Sequence, residues 1–325
     1  MASAEAVAAV IEAGGAHVPG LMKRLERRLG EVAASHGELL AEHAGATIAA
    51  GGKRLRPLLV FLSAGRPRAD EYDDGVLRAA VAVELIHSAT LVHDDVLDAA
   101  PLRRGRPTIV ASAGRAIATA TGDLLFSRAF AELAANGRAD ELRVLSAASS
   151  ALADGELLQR ADAWDLGIRR ERYEQRCDLK TARLFAAACE LGALEAGKPV
   201  AALGAFGRRI GLAFQLLDDV LDVSGPAERT GKHRGTDLLD GTVTLPLILA
   251  REMDPDLKQL DLRAVRTPAQ AEAVCDAIVA TGALAVAKDD ALAIVDAAKA
   301  ELPALPDEQR GALELVADGV VERYA

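Results

Sequence analysis

Asp94-Asp95-Val96-Leu97-Asp98 recurs letter for letter at Asp218-Asp219-Val220-Leu221-Asp222, an offset of 218 − 94 = 124 residues. On a helix the first and last aspartates of each run stand one above the other, with the second beside them. Three carboxylates in five residues, entered from the apolar LV and QLL stretches, repel one another and resist burial, so a cation must compensate them. Oxygen ligands without His or Cys suit Mg2+, which keeps several waters and completes its shell with substrate phosphate oxygens. Each run is expected to act as a one-helix chelate. A single run would as readily be a solvated helix end, and the duplication argues against that. Asp73-Asp74, in a Pro/Gly-bounded stretch without a third carboxylate, is expected to be a surface loop.

Phosphate held by metal needs further positive charge around it. GGKRLRP (51–57) sets Lys53 and Arg56 one turn apart, behind a glycine pair and before a proline. Arg103-Arg104-Gly105 follows the first aspartate run within one short loop, Lys180-Thr181 lies in a helical stretch, and Lys232 follows the second run. Three of the eight lysines in the chain fall in these packets. Arg54, Arg106 and Arg234 are read as solvated surface.

The elements that position these groups are expected to be helices. Ala and Leu dominate, aromatics are 3%, and apolar residues recur at three- and four-residue steps through most of the 325 residues. Breaks fall at 66–75, 99–108, 224–242 and 251–261, where Pro, Gly and charge cluster. None resembles a long linker, so one all-α domain over 1–325 is expected. A net charge of −10 excludes the diffuse positive field that carries nonspecific nucleic-acid binding. Cys177, Cys189 and Cys275 show neither disulfide nor zinc spacing and are expected to be buried thiols. The Ala-rich start carries Glu5 and Glu12 and does not read as a signal peptide. No uncharged apolar run approaches membrane-spanning length, so a cytoplasmic protein without an integral membrane segment is expected.

GGKRLRP, HSATLVHDDVLDAAPLRRGRPT, DLKTARLF, GLAFQLLDDVLD and GKHRGTDLLDGTVTLPL occur in the order and spacing of the trans-isoprenyl diphosphate synthase (polyprenyl synthetase) family, which the chain resembles from about Gly51 to Pro246. The resemblance implies an isoprenoid-synthase bundle of helices around a deep central cavity, usually a homodimer, condensing isopentenyl diphosphate head to tail with an allylic diphosphate. It implies that Asp94, Asp95, Asp98, Asp218, Asp219 and Asp222 hold three Mg2+ ions on the allylic diphosphate, with Arg103, Lys180 and Lys232 around the same leaving group. Lys53, Arg56, His87 and Arg104 are implied for isopentenyl diphosphate, and Thr181 and Gln215 for the allyl cation. His87, taken alone, would equally be a hydrogen-bonded core histidine. Where the family often has GKxTLP, this chain reads Gly241-Thr242-Val243-Thr244-Leu245-Pro246. Thr242 carries no charge, which predicts a modest loss of diphosphate affinity, covered in part by Lys232 or Arg234.

Ala89 and Thr90 lie about one turn before Asp94, where short-chain relatives commonly carry an aromatic. Ala89 leaves that point open and Ala82 extends the small wall. One helical turn advances roughly 5.4 Å, close to one extended isoprene unit, so the expected product exceeds C20, at C30 to C50. Phe126 and Phe130, one turn apart, are equally candidate floor residues and ordinary core aromatics. Rival readings are a geranylgeranyl or farnesyl diphosphate synthase, a class I terpene cyclase, an HD-type metal phosphohydrolase built on His93-Asp94, and a noncatalytic partner subunit. Intact aspartate runs weigh against the last.

Overall fold

A computed structural model describes residues 2–35, 38–49, 52–66, 70–103, 105–225 and 234–322. Their regular structure is helical, as the periodicity predicts, apart from one antiparallel hairpin of β1 (Leu102–Arg103) and β2 (Arg106–Pro107) in the loop after the first aspartate run. Contacts divide the chain into two compact units.

The first unit comprises 1–149, 184–207 and 302–319. It contains α1 (Ala2–Ala13), α2 (Val18–Ala34), α3 (Glu38–Ala49), α4 (Leu55–Ala64), α5 (Asp70–Leu97), α6 (Ile109–Ala113) and α7 (Arg115–Ala134). It also holds the start of α8 (Ala139–Ala161), nearly all of α10 (Arg183–Ala196) and the start of α11 (Val200–Ser224). The last helix, α17 (Asp307–Glu322), lies largely in it.

Helix α5 is the core: Val81, Ala82, Val83, Leu85 and Ile86 are fully covered, as in a helix packed on all sides. It packs chiefly on α7 and α4. The α5–α7 pair runs antiparallel, since Gly75 O accepts from Asn136 Nδ2 at 3.1 Å while Gly122 lies against His93. A Cβ on Gly122 would stand 2.2 Å from His93 Nε2, so only glycine lets the two helices approach this closely. Arg28 of α2 grips buried Glu132 of α7 at 2.8 and 3.1 Å. Gln309 of α17 donates to the carbonyls of Leu62 and Ser63, which the end of α4 leaves without helical partners.

One expectation is corrected in this unit. Asp73 and Asp74 lie inside α5 rather than in a loop, because acidic residues favour a helix start and Gly75 sits under Glu195, whose Oε2 would be 1.9 Å from a Cβ there. Asp74 pairs with Arg24. Asp74–Leu97 and Val200–Ser224 are long and apolar enough to cross a membrane by length and composition, though each carries charged residues. Some 78% and 50% of their apolar windows are buried in the protein, as in core helices.

The second unit comprises 150–183, 208–301 and 320–325. It contains the rest of α8 and α11, α9 (Arg170–Cys177), a π-helical turn over Asp178–Ala182, α12 (Thr236–Leu239), α13 (Leu245–Met253), α14 (Pro255–Lys258), a 3-10 turn (Leu262–Ala264), α15 (Pro268–Ala280) and α16 (Ala283–Ala300). Pro246 opens α13 in its first turn, where its missing N–H costs nothing. Gly241 before it has φ +72, and a Cβ would lie 2.3 Å from the Trp164 ring, so the turn requires glycine. All three cysteines are free and buried, as expected.

Candidate active site

The first aspartate run closes α5. Helical hydrogen bonding persists through it, with Asp98 N–H donating to Asp94 O at 2.8 Å. Asp94 is half-buried, Asp95 buried and Asp98 exposed. The hairpin swings Arg103 back onto Asp95, Nε and Nη2 each 2.8 Å from Oδ1. This is the compensating cation that burial of Asp95 demands.

The second run, in α11, repeats the pattern with different partners. Asp218 and Asp222 are half-buried and Asp219 is buried. Tyr173 Oη of α9 donates to Asp219 Oδ2 at 2.7 Å, and Gln215 Nε2, one turn earlier in α11, donates to Oδ1 at 2.8 Å. Thr181 Oγ1 donates to Gln215 Oε1 at 2.7 Å, fixing which way the amide points. Asp222 Oδ2 accepts the N–H of Asp237, at 3.2 Å. Burial, then the charges of Asp237 and Asp218, push the Asp219 carboxyl up to about 8 against the hydrogen bonds from Tyr173 and Gln215.

Among the described residues no group of three His, Cys, Asp or Glu side chains is gathered as a metal cage. The second aspartate of each run is taken up by the protein, and the pair one turn apart (Asp94 with Asp98, Asp218 with Asp222) keeps some solvent access. Such a donor set fits Mg2+, which takes one or two carboxylates and fills the rest of its shell with water and phosphate.

Lys180 and Thr181 sit on the π-helical turn, whose wider coil re-aims the side chains. Gly155 of α8 admits this turn, since a Cβ there would lie 2.6 Å from Lys180 N. Lys180 Nζ donates to Glu156 and Gln159 of α8. Burial works to raise the pKa of Glu156, but Lys180 and Arg160 outweigh it and hold the group below its usual range. An anionic ligand of Lys180 must compete with that carboxylate.

In the first unit, Lys53 is exposed and Arg56 half-buried, its guanidinium 4.5 Å over the Phe185 ring. Burial lowers the Arg56 pKa to about 10 against the pull of Glu84. His87 is half-buried on α5, and its carbonyl accepts from Thr90 Oγ1 at 2.8 Å. Arg104 and Lys232 lie outside the described residues. Arg54 and Arg234 are not solvated surface. Arg54 is 7% exposed and paired with Glu26 and Glu84, and Arg234 reaches Val223 O and Asp276.

Ala82 and Ala89 are fully covered, whereas Thr90, Phe126 and Phe130 are partly exposed. Phe126 stacks on His93 at 5.8 Å between centroids, and His93 Nε2 lies 3.3 Å from Asp123. Sequence reasoning missed Tyr173, Glu156 and Asp237. Asp237 lies within a quoted motif, and Tyr173 stands seven residues, two helical turns, before Lys180.

The polyprenyl synthetase family model matches residues 37–281. The heptaprenyl diphosphate synthase component 2 of Geobacillus stearothermophilus is 45% identical over 215 residues, 65% of this chain and 66% of that one. The octaprenyl diphosphate synthase of Escherichia coli K12 is 37% identical over 268 residues, 80% and 82% of the two chains. Relatives named for shorter products match as well. A polyprenyl synthase from Caulobacter crescentus CB15, solved with calcium and isoprenyl diphosphate, superposes with a TM-score of 0.89 at 37% identity, covering 97% of this chain and 98% of that one. With a family match over most of the chain and an all-α fold shared with a solved polyprenyl synthase, the protein belongs to the polyprenyl synthetase family of prenyltransferases.

Proposed function

We propose that this prenyl diphosphate synthase adds isopentenyl diphosphate head to tail to an allylic diphosphate and carries the product beyond C20, to C30–C50. The observation that carries the reading is the duplicated aspartate run, in which the same member is buried and taken up by the protein each time. Asp94, Asp98, Asp218 and Asp222 would ligate Mg2+, three ions in all, with Asp95 and Asp219 orienting the two runs. Bound Mg2+ would supply the positive charge that stabilises a departing diphosphate.

Arg103, Lys180 and Lys232 add charge on the same leaving group. Thr181 and Gln215 present oxygens toward the allylic carbon, as weak donors in a water-poor setting. Lys53, Arg56, His87 and Arg104 hold isopentenyl diphosphate so that its double bond faces that carbon, and no side-chain base is required. Thr90 and Ala89 form the wall past which the chain grows, with Phe126 and Phe130 beyond it. The absence of an aromatic at 89 and 90 and the names of the two curated relatives support a long product.

A homodimer of single-domain chains is part of the proposal, as the family resemblance implies. The name "component 2" of one relative favours a second reading, in which a partner chain is needed for activity. The purified chain is incubated with labelled isopentenyl diphosphate, Mg2+ and allylic primers of several lengths, and products are sized by chromatography. Products above C20, abolished by alanine at Asp94 or Asp218, are expected. Full-speed elongation by those variants sinks the reading, and a folded but inert chain points to the partner-dependent one.

A further inference from the structure

Three cations in four residues, Lys53, Arg54 and Arg56, open α4, and they are handled differently. Lys53 is exposed. Arg54 adopts a left-handed backbone, φ 47 and ψ 36, which L residues keep only when their surroundings hold it. Those surroundings come from three helices. Nε and Nη2 fork onto Glu26 of α2 at 2.7 and 3.1 Å, Nη1 donates to Glu84 of α5 at 2.6 Å, and Nη2 also donates to Ile48 O of α3 at 2.9 Å.

Arg56 is a cation with little company. Its Nε is buried without a hydrogen-bond partner among the described residues, and its guanidinium rests on the Phe185 face. Among the described residues, the carboxylate whose charge acts on it is Glu84, which is 4% exposed and itself feels both Arg54 and Arg56. Glu84 is thus the group that would compete with an incoming anion for Arg56. It also stands three residues before His87, on the same helix.

We propose that Arg54 is a positioning residue: by engaging Glu84 at 2.6 Å, it leaves the charge of Arg56 for the diphosphate of isopentenyl diphosphate and ties the start of α4 to the helix that carries His87. The inference rests on the reading of Lys53, Arg56 and His87 as the pocket for that substrate. It separates this pocket from the allylic one, because Arg54 bears on the former alone.

Steady-state kinetics on Arg54→Met, Glu84→Gln, the double variant and Arg56→Gln test it, with thermal unfolding to establish that each folds. Arg54→Met hands Glu84 to Arg56, so KM for isopentenyl diphosphate rises about tenfold, the scale of one charge-assisted contact. Allylic KM and kcat stay within about twofold. Adding Glu84→Gln removes the competitor and restores KM to within about threefold of the natural protein, whereas a merely structural salt bridge would move the unfolding temperature and both substrates' KM together. If Arg54→Met fails to fold, Glu84→Gln alone carries the test. It keeps an acceptor for Arg54 and deletes the competing charge, so KM for isopentenyl diphosphate stays level or falls. A rise of about threefold or more there, an unchanged KM in Arg54→Met, or no rescue in the double variant overturns the role of Arg54. An unchanged KM in Arg56→Gln removes the pocket itself, and the Arg54 proposal with it.

Discussion

Glu141, in the first turn of α8, has no solvent-exposed side-chain surface and faces Glu195 of α10. Asn136 Nδ2 donates to its Oε2 at 2.9 Å, and Arg138 lies 3.8 Å from Glu141 and 3.9 Å from Glu195. Burial first, and then the neighbouring Glu195 carboxyl, push the Glu141 carboxyl up to about 8 from an ordinary 4.5. Because the folded-state value is the higher one, the folded protein holds an extra proton between those values. The stabilisation is complete below the unfolded value and is lost as pH rises through the folded one. Between about pH 5.5 and about pH 8.5 this removes about 3 kcal/mol of unfolding free energy, at roughly 1.4 kcal/mol per unit. Glu141→Gln mimics the protonated acid: it keeps an acceptor for Asn136 and a donor for Glu195 without a titrating charge. Urea unfolding at both pH values is expected to show the natural protein losing stability with pH and the variant nearly flat, the variant being the more stable of the two at the alkaline end. An equally steep loss in Glu141→Gln, or a variant less stable at high pH, would refute the argument for a proton on Glu141.

Tyr173→Phe deletes the buried donor to Asp219 and should cost about 2 kcal/mol in chemical unfolding, with a kcat loss measurable in the elongation assay; unchanged stability would mean that this hydrogen bond is immaterial. Gly122→Ala drives a methyl into His93 and should cost about 1–3 kcal/mol, read as a lower unfolding midpoint, because the α5–α7 contact must open. Thr90→Phe is expected to shorten the product by about one or two isoprene units, on the scale of one unit per helical turn, and chromatographic sizing that returns the original distribution removes the proposed wall. Thr242→Lys adds a charge next to Asp237, whose carbonyl accepts the Thr242 N–H and whose own N–H donates to Asp222, and should lower allylic KM roughly fivefold, as one charge-assisted contact would.

Helix content, the buried thiols and the candidate site motifs were legible in the linear order of residues, because 3.6-residue periodicity and i, i+4 spacing are local properties. Local rules also misjudged the start of α5. Gly75 and its acidic neighbours read as a break, yet the glycine is there to admit the Glu195 carboxylate, a contact 120 positions away in sequence. Arg54 is the sharper case. As a letter it is one of three neighbouring cations; its burial depends on Glu26, Ile48 and Glu84 arriving from three other helices.

What the chain determined by itself is therefore the set of candidate groups: six aspartates in two matching runs, and the basic packets around them. Tertiary structure alone decided which of these groups each partner occupies. Arg103 went to Asp95, Tyr173 and Gln215 to Asp219, and Glu156 to Lys180. The physical reason is that spacing assigns a side chain to a face, whereas desolvation and pairing, which set its charge and orientation, depend on atoms brought in by distant segments.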